Sequence, residues 1–239
     1  MSLIKAYKKT LQANKGLNIS YSGSIFNIFC RYISNFFVPI FVWFKFSATA
    51  VTFLSFITIN ISCAFIITNQ FIFGVIFFFI FRILDFVDGS VARINKNASL
   101  SGKFLDSMVD IYGRGAVLIS VGYFISKIYL SENLFYLGII SGMSSIMYNL
   151  IYDKFSALVR WANEEQKKKY APYIRGKKDG NIAARLDDIY YLSLLISPFF
   201  YFDTLIFKIL IMLCLVTNVI LFIFNFCLHL FQINSYLKK

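Results

Sequence analysis

Long apolar segments alternate with short polar turns along most of the chain. A membrane-spanning helix needs about 20 mostly apolar residues, and six segments come close to that length. They cover approximately residues 48–68, 71–91, 100–129, 134–158, 189–201 and 204–231, the fifth being short. This pattern predicts an all-α integral membrane protein with six transmembrane helices.

A further apolar segment, residues 25–46, is rich in aromatic residues but contains polar and helix-breaking interruptions. These are Arg31, Asn35, Pro39 and Lys45. The pattern is typical of an amphipathic helix that lies in the membrane interface, and a full span is the alternative. The predicted organisation is a basic N-terminal and interfacial helix region over residues 1–46, a six-helix domain over 47–231 and a cytoplasmic tail over 232–239.

The composition indicates a lipid environment. Of the 239 residues, 58% are hydrophobic and 15% are charged, whereas soluble domains carry about 25% charged residues. The net charge is +12, and basic residues concentrate at the N-terminus, in the loop 153–188 and in the tail. By the positive-inside rule these segments, and both termini, face the cytoplasm. We expect a multi-pass protein of a bacterial cytoplasmic membrane that binds no nucleic acid.

Four aspartates interrupt the apolar pattern where the second and third predicted spans meet. Asp85 and Asp88 are three residues apart and Asp106 and Asp110 four apart, so each pair shares one helical face. Ionisable residues at membrane depth are costly and indicate function. Two helices packed as a hairpin would aim all four carboxylates into one pocket, where divalent cations can compensate their charge. Ligand sets of oxygen alone favour Mg²⁺, Mn²⁺ or Ca²⁺ over zinc.

These aspartates belong to a longer motif. Asp85-x-x-Asp88-Gly89-x-x-Ala92-Arg93 is followed, after eight residues, by Gly102-x-x-x-Asp106-x-x-x-Asp110. The motif resembles the signature of the CDP-alcohol phosphotransferases (CDP-alcohol phosphatidyltransferases), with every signature position filled. Together with the six-span layout, the resemblance extends over approximately residues 47–230.

The resemblance implies an enzyme of phospholipid biosynthesis that transfers a phosphatidyl-type group from a CDP-activated lipid, similar to CDP-diacylglycerol, to a polar alcohol and releases CMP. It implies that Asp85, Asp88 and Asp106 hold two metal ions, Mg²⁺ or Mn²⁺. Asp110 would help to hold metal and act as general base on the attacking hydroxyl. The residues that would line the CDP pocket are Gly89, Ala92, Arg93 and Gly102. The family fold is a six-helix membrane bundle, usually a homodimer.

The basic residues suggest a class of acceptor alcohol. In the family branch that uses phosphorylated polyols, such as inositol phosphate or glycerol 3-phosphate, arginines at similar places bind the acceptor's phosphate. Arg160 and Arg185 are the candidates here, and ordinary positive-inside residues are the alternative explanation for both. Arg114 lies one helical turn beyond Asp110 and could supply a charge to the same pocket.

Other functions are open at this point. Within the family, serine could be the acceptor, or a CDP-aminoalcohol could be the donor with diacylglycerol as acceptor. Outside it, acidic pairs on membrane helices also serve ion-coupled transporters, and a non-catalytic membrane scaffold is a further alternative. A transporter would typically show internal repeats or helices broken at the midplane, whereas these acids cluster near the interface and no repeat is visible.

Overall fold

The structure, a computed structural model, describes residues 3–14, 24–95, 99–165 and 177–237. Within these ranges the chain is helical apart from short turns and contains no strand. The α-helices are α1 (Leu3–Asn14), α2 (Ile25–Trp43), α3 (Ala48–Ile67), α4 (Phe71–Asn95), α5 (Leu100–Ile128), α6 (Glu132–Glu165), α7 (Lys177–Ile196) and α8 (Thr204–Leu237). A 3-10 helix, Ser197–Phe200, follows α7. The predicted all-α membrane fold is confirmed.

The six predicted spans correspond to α3–α8. The starts predicted at residues 48, 71, 100 and 204 coincide with those of α3, α4, α5 and α8. Helix α7 begins earlier than the predicted fifth span, because its first turns are polar and carry no apolar signal. Helix α1 was not predicted, since its lysine-rich sequence resembles an unstructured basic segment. The predicted interfacial helix corresponds to α2.

Five helices are long and apolar enough to cross a membrane, namely α2, α3, α5, α6 and α8. Helices α4 and α7 fall outside this set because charged residues interrupt their apolar sequence. The chain is a multi-pass membrane protein by this measure. The count of six spans, with α2 at the interface, stays a prediction.

Helix α4 runs antiparallel to α3 and lies beside it along most of its length. Near one end of the pair, the Ser62 hydroxyl donates a hydrogen bond of 2.7 Å to the carbonyl oxygen of Gly74. Near the other end, the Thr52 hydroxyl donates to the Asp88 carboxylate, also at 2.7 Å. The earlier of the two α3 residues contacts the later α4 residue, and the later α3 residue contacts the earlier α4 residue. The charged half of α4 therefore lies beside the beginning of α3.

Helices α5 and α6 approach each other closely through glycines. A Cβ atom on Gly122 would lie 2.4 Å from the Cα atom of Gly138, and one on Gly142 would lie 2.7 Å from the carbonyl oxygen of Gly115. Such contacts leave no room for a side chain, as in other membrane helix pairs that pack through small residues. Gly113 faces Phe81 of α4 with similar closeness. Gly113 and Gly115 thus serve helix packing beside the site.

An aromatic cluster joins several helices at the end of the bundle remote from Asp88. Phe71, at the start of α4, stacks on Phe124 near the end of α5 with ring centroids 4.8 Å apart. Phe207, in the first turns of α8, packs edge-on against both rings. These contacts fix the far ends of α4, α5 and α8 at one level. The opposite ends of α4 and α5 are therefore left to build the site.

Candidate active site

A cleft lies where α4 ends and α5 begins, with two adjoining halves of about 210 and 370 Å³. The larger half is lined by all four predicted aspartates, Asp85, Asp88, Asp106 and Asp110. The smaller half is lined by the predicted nucleotide-binding residues Gly89, Ala92, Arg93 and Gly102. Packing thus brings all eight residues of the sequence motif to one cleft.

Serine caps start the helices at this level. Ser99 precedes α5, and its hydroxyl accepts a hydrogen bond from the backbone N–H of Gly102 at 3.0 Å. Ser47 caps α3 in the same way, accepting from Ala50 at 3.1 Å. A serine at this position satisfies an N–H group that has no partner inside the helix. Because α5 starts at Leu100, Asp106 and Asp110 fall in its second and third turns, beside the end of α4.

Asp88 and Asp106 occupy the centre of the cleft, because they line both of its halves. Asp88 is buried, and its carboxylate accepts the hydrogen bond from Thr52 of α3. Asp106 of α5 lines the same two halves of the cleft, so its carboxylate is a neighbour of the Asp88 carboxylate. Two carboxylates this close repel each other unless a proton or a cation lies between them. This pair is therefore the natural centre of a cation site.

Asp85 and Asp110 are linked by an arginine that the sequence analysis missed. One terminal nitrogen of Arg82, Nη1, lies 2.6 Å from Asp110 Oδ1 and 3.1 Å from Asp85 Oδ2. Arg82 is only 3% exposed. Burying an arginine is tolerated only when it is paired and hydrogen-bonded. The sequence contained a usable signal, because Arg82 lies one turn before Asp85 inside an otherwise apolar helix.

Arg114 extends this network from Asp110 to α7. Its Nε atom lies 3.6 Å from Asp110 Oδ1, and its Nη1 atom lies 3.8 Å from Asp187 Oδ1. The guanidinium groups of Arg114 and Arg82 both lie over the ring of Tyr191, at 5.4 and 5.1 Å from its centroid. Two cations thus flank Asp110 and favour its ionised form. Asp187 and Tyr191 were not predicted, since only tertiary packing brings α7 to the site.

Helix α2 forms one wall of the cleft. Arg31 lines the larger half together with the aspartates, and Asn27, one turn earlier, accepts a hydrogen bond of 3.3 Å from Arg82 Nη2.

Asp188 of α7 fixes the start of helix α2. Its Oδ1 atom accepts from the Ser24 hydroxyl at 2.8 Å and from the Phe26 N–H at 2.9 Å. The predicted interfacial helix therefore also contributes polar residues to the site.

Gly89 stands apart from the glycines that pack helices. A Cβ atom at Gly89 would meet only the end of the Arg93 side chain, at 3.4 Å. Gly89 nevertheless lines both halves of the cleft. Its missing side chain therefore leaves space in the cleft, where a ligand could approach the backbone of α4 closely.

Of the other two arginines predicted for the acceptor, Arg185 lines neither half of the cleft. Arg185 is exposed, and its Nη1 atom lies 3.6 Å from Asp188 Oδ2. Arg160 belongs to α6, but its side chain lies outside the part of the chain that the structure describes. Of the three arginines predicted for the acceptor's phosphate, Arg114 is the one that the described structure places against Asp110.

The donor atoms of the cleft fit a hard divalent cation by their chemistry. Its larger half offers carboxylates and the Ser107 hydroxyl, and no histidine or cysteine lines it; oxygen ligands of this kind suit Mg²⁺ or Mn²⁺. Among residues 3–14, 24–95, 99–165 and 177–237, however, no three acidic, histidine or cysteine side chains are arranged as a ready metal-ligand group. Asp85 and Asp110 instead contact Arg82. The centre of the cleft, between Asp88 and Asp106, is where the fit is best.

Comparison with known protein families agrees with the geometry. The profile of the family described as CDP-alcohol phosphatidyltransferase matches residues 32–169, which include the whole motif and the four aspartates. No curated protein sequence gives a significant match. Members of this family are transferases that act on CDP-alcohols and generally depend on divalent metal ions. The match covers more than half of the chain, and the protein therefore belongs to the CDP-alcohol phosphatidyltransferase family.

Proposed function

We propose that this protein transfers a phosphatidyl-type group from a CDP-lipid, similar to CDP-diacylglycerol, to the hydroxyl group of a polar alcohol. One observation carries the proposal: four aspartates and four nucleotide-pocket residues of one sequence motif line a single cleft at the end of a membrane bundle. A cleft with convergent charged groups is where chemistry is expected. The family match supports the same reaction class.

We assign the roles within the cleft as follows. Gly89, Ala92, Arg93 and Gly102 would receive the cytidine diphosphate part of the donor. Asp85, Asp88, Asp106 and Asp110 would hold two ions of Mg²⁺ or Mn²⁺. Bound divalent ions supply charge that neutralises phosphate oxygens during displacement.

Asp110 is the proposed general base. Arg82 and Arg114 favour its carboxylate form, which can take a proton from the acceptor hydroxyl. The hydroxyl oxygen then forms a bond to the lipid-linked phosphorus. The bond between that phosphorus and the oxygen of CMP breaks, so CMP leaves and the alcohol carries the phosphatidyl group.

We favour a phosphorylated polyol, such as inositol phosphate or glycerol 3-phosphate, as the acceptor. Arg114 supports this choice, because its guanidinium lies beside Asp110 and could hold an anionic group near the attacking hydroxyl. Arg160 and Arg185 would assist at the cytoplasmic entrance. Two alternatives remain within the family. One is serine as the acceptor, and the other is a CDP-aminoalcohol as the donor with diacylglycerol as the acceptor.

The proposed orientation follows from charge. The basic segment 153–188, which includes the end of α6 and the start of α7, would face the cytoplasm of a bacterial cell together with both chain ends. This is the same side as the cleft. We also propose a homodimer, as the family resemblance implies. Light scattering of the purified protein, with the detergent contribution subtracted, tests the dimer directly.

An acceptor screen tests the proposed function. The purified protein receives CDP-diacylglycerol with Mg²⁺ or Mn²⁺ and, in separate reactions, glycerol 3-phosphate, inositol 1-phosphate, inositol, serine or no alcohol. CMP release with a phosphorylated polyol is the expected result. Release with serine would reject the acceptor assignment, and no release with any acceptor would reject the donor assignment. A parallel assay in sealed vesicles, in which ion or solute flux occurs without CMP release, would favour a transporter.

A further inference from the structure

Arg31 lies outside the sequence motif and just before the matched family segment, which begins at residue 32. Its side chain nevertheless lines the larger half of the cleft with Asp85, Asp88, Asp106 and Asp110. The guanidinium lies 5.4 Å from the centroid of the Phe86 ring on α4. An aromatic face holds an arginine in place while leaving its N–H groups available to a ligand.

Arg31 differs in its pairing from three other arginines at this end of the bundle. Arg82, Arg114 and Arg185 each lie within 4 Å of an aspartate. In the described part of the chain, Arg31 has no such carboxylate partner. Arg31 and Arg93 line the same half of the cleft, so their like charges repel each other. An anionic group between two neighbouring guanidiniums removes this repulsion and can accept hydrogen bonds from both.

The position of Arg93 indicates which part of a ligand would meet Arg31. Arg93 lines both halves of the cleft, whereas Arg31 lines only the half that contains Asp110. The smaller half of the cleft, which would hold the cytidine, is called the nucleotide half. A diphosphate that extends from the nucleotide half towards Asp110 must therefore pass Arg93 first. The phosphate farther from the cytidine would then lie on the Arg31 side.

We propose that Arg31 binds the transferred phosphate of the CDP-lipid donor, together with Arg93, and so makes helix α2 part of the donor site. This inference rests on the proposed function. The recognised chemistry is a phosphate oxygen, which could also come from the acceptor's phosphate or from an anionic lipid headgroup. The geometry favours the donor, because Arg31 and Arg93 flank the path between the nucleotide half and the proposed base.

The test compares CDP with CMP as ligands of wild-type protein and Arg31→Gln in neutral detergent with Mg²⁺. Losing a charge-assisted hydrogen bond is expected to weaken CDP binding about 10-fold or more. CMP lacks the farther phosphate, so its affinity should change less than about 2-fold. The donor KM should rise in parallel with the loss of CDP affinity. Arg31→Lys keeps the charge and should recover part of the affinity.

Lys45→Gln is the matched control, since it removes one positive charge just beyond the end of α2 and Lys45 lines neither half of the cleft. It should leave both affinities unchanged. Equal loss of CDP and CMP binding would overturn the assignment to the farther phosphate. A rise in the KM of a phosphorylated acceptor with unchanged CDP affinity would assign Arg31 to the acceptor instead. An effect that needs anionic lipid would assign it to the membrane surface.

Failure of this inference is distinguishable from failure of the proposed function. If wild-type protein releases CMP while Arg31→Gln matches it in donor KM and CDP affinity, only the role of Arg31 is wrong. If wild-type protein neither binds CDP nor releases CMP, the proposed function itself fails. Size-exclusion profiles and thermal unfolding of each variant confirm that the compared proteins are folded.

Discussion

Arg82 on α4 and Asp110 on α5 form a buried contact, with 2.6 Å between Nη1 and Oδ1. The same nitrogen lies 3.1 Å from Asp85, so one guanidinium sets the relative positions of two proposed catalytic carboxylates. The contact joins α4 to α5 next to the packing of Gly113 against Phe81. Arg82 is therefore best described as a positioning residue for the cleft.

Replacing Arg82 by Met should damage both stability and turnover. Removing one partner of a buried ion pair leaves the other charge uncompensated, which typically costs about 3–5 kcal/mol. Displacing a proposed base by about 1 Å can lower turnover about 100-fold. Thermal unfolding and the kcat for CMP release measure the two effects. Arg82→Lys keeps a positive charge beside Asp110, so it should recover part of the kcat that Arg82→Met loses. A purely structural role of Arg82 does not predict this recovery.

Arg185→Met provides the matched stability control. It also removes an arginine that pairs with an aspartate three residues away, but its side chain is 64% exposed. Exposed pairs contribute less than about 1 kcal/mol, so its unfolding temperature should stay close to that of the wild type. A similar loss in both variants would contradict the special position of Arg82.

Asp110→Asn should abolish transfer while sparing most donor binding. The amide keeps the shape of the side chain but cannot take the proton of the attacking hydroxyl. CMP release should fall by a factor of about 100 or more, with CDP affinity within a few-fold of the wild type. Asp203→Asn, at the remote end where Asp203 caps α8, should leave the rate unchanged. Loss of CDP binding together with activity would reject the role of base.

The spacing of the motif indicated which residues line the centre of the cleft. Helix periodicity, together with the assumption that the two helices form a hairpin, predicts that the Asp88 and Asp106 carboxylates converge, and both residues line the cleft. The cleft also contains Gly89 and Gly102, as the resemblance implied. Helix boundaries were similarly accessible, because polar turns interrupt long apolar segments at the ends of α3, α4 and α5.

The surrounding shell could not be predicted from spacing. Arg31 reaches the cleft, and Asn27 reaches Arg82, because α2 packs against α4 and its start is hydrogen-bonded to Asp188 of α7. Asp187 meets Arg114 through the packing of α7. Such contacts depend on which helices become neighbours, and no local pattern encodes that choice. Arg82 is different, since its position one turn from Asp85 was visible in the sequence.

Gly138→Ala should destabilise the protein although alanine is the better helix former. The propensity gain is about 1 kcal/mol, but the added Cβ atom would lie 2.5 Å from the Cα atom of Gly122. Overpacking a tight contact typically costs about 1–3 kcal/mol, so the steric cost should dominate. Thermal unfolding in detergent measures the result. Ala157→Val adds more volume on an exposed face of α6 and should have little effect.

Removal of divalent metal should stop CMP release reversibly. Asp88 and Asp106 are neighbouring carboxylates that line both halves of the cleft, and such a pair needs compensating charge. Chelation should eliminate turnover, and Mg²⁺ or Mn²⁺ should restore it. Mn²⁺ binding, followed by electron paramagnetic resonance, should weaken in Asp88→Asn but not in Asp203→Asn. Full turnover after exhaustive chelation would contradict the proposed metal site.

Asp188→Ala should loosen α2 and, through it, the cleft. The mutation removes the acceptor for both the Ser24 hydroxyl and the Phe26 N–H, and leaving buried donors unsatisfied costs about 1–3 kcal/mol. Hydrogen exchange should accelerate in the first turns of α2 but not at the remote end of α8. Because Arg31 lies two turns into the same helix, donor KM should rise as well. Asp153→Ala, at an exposed position of α6, should change neither quantity. Unchanged exchange in α2 would show that its packing against α4 holds the helix without Asp188.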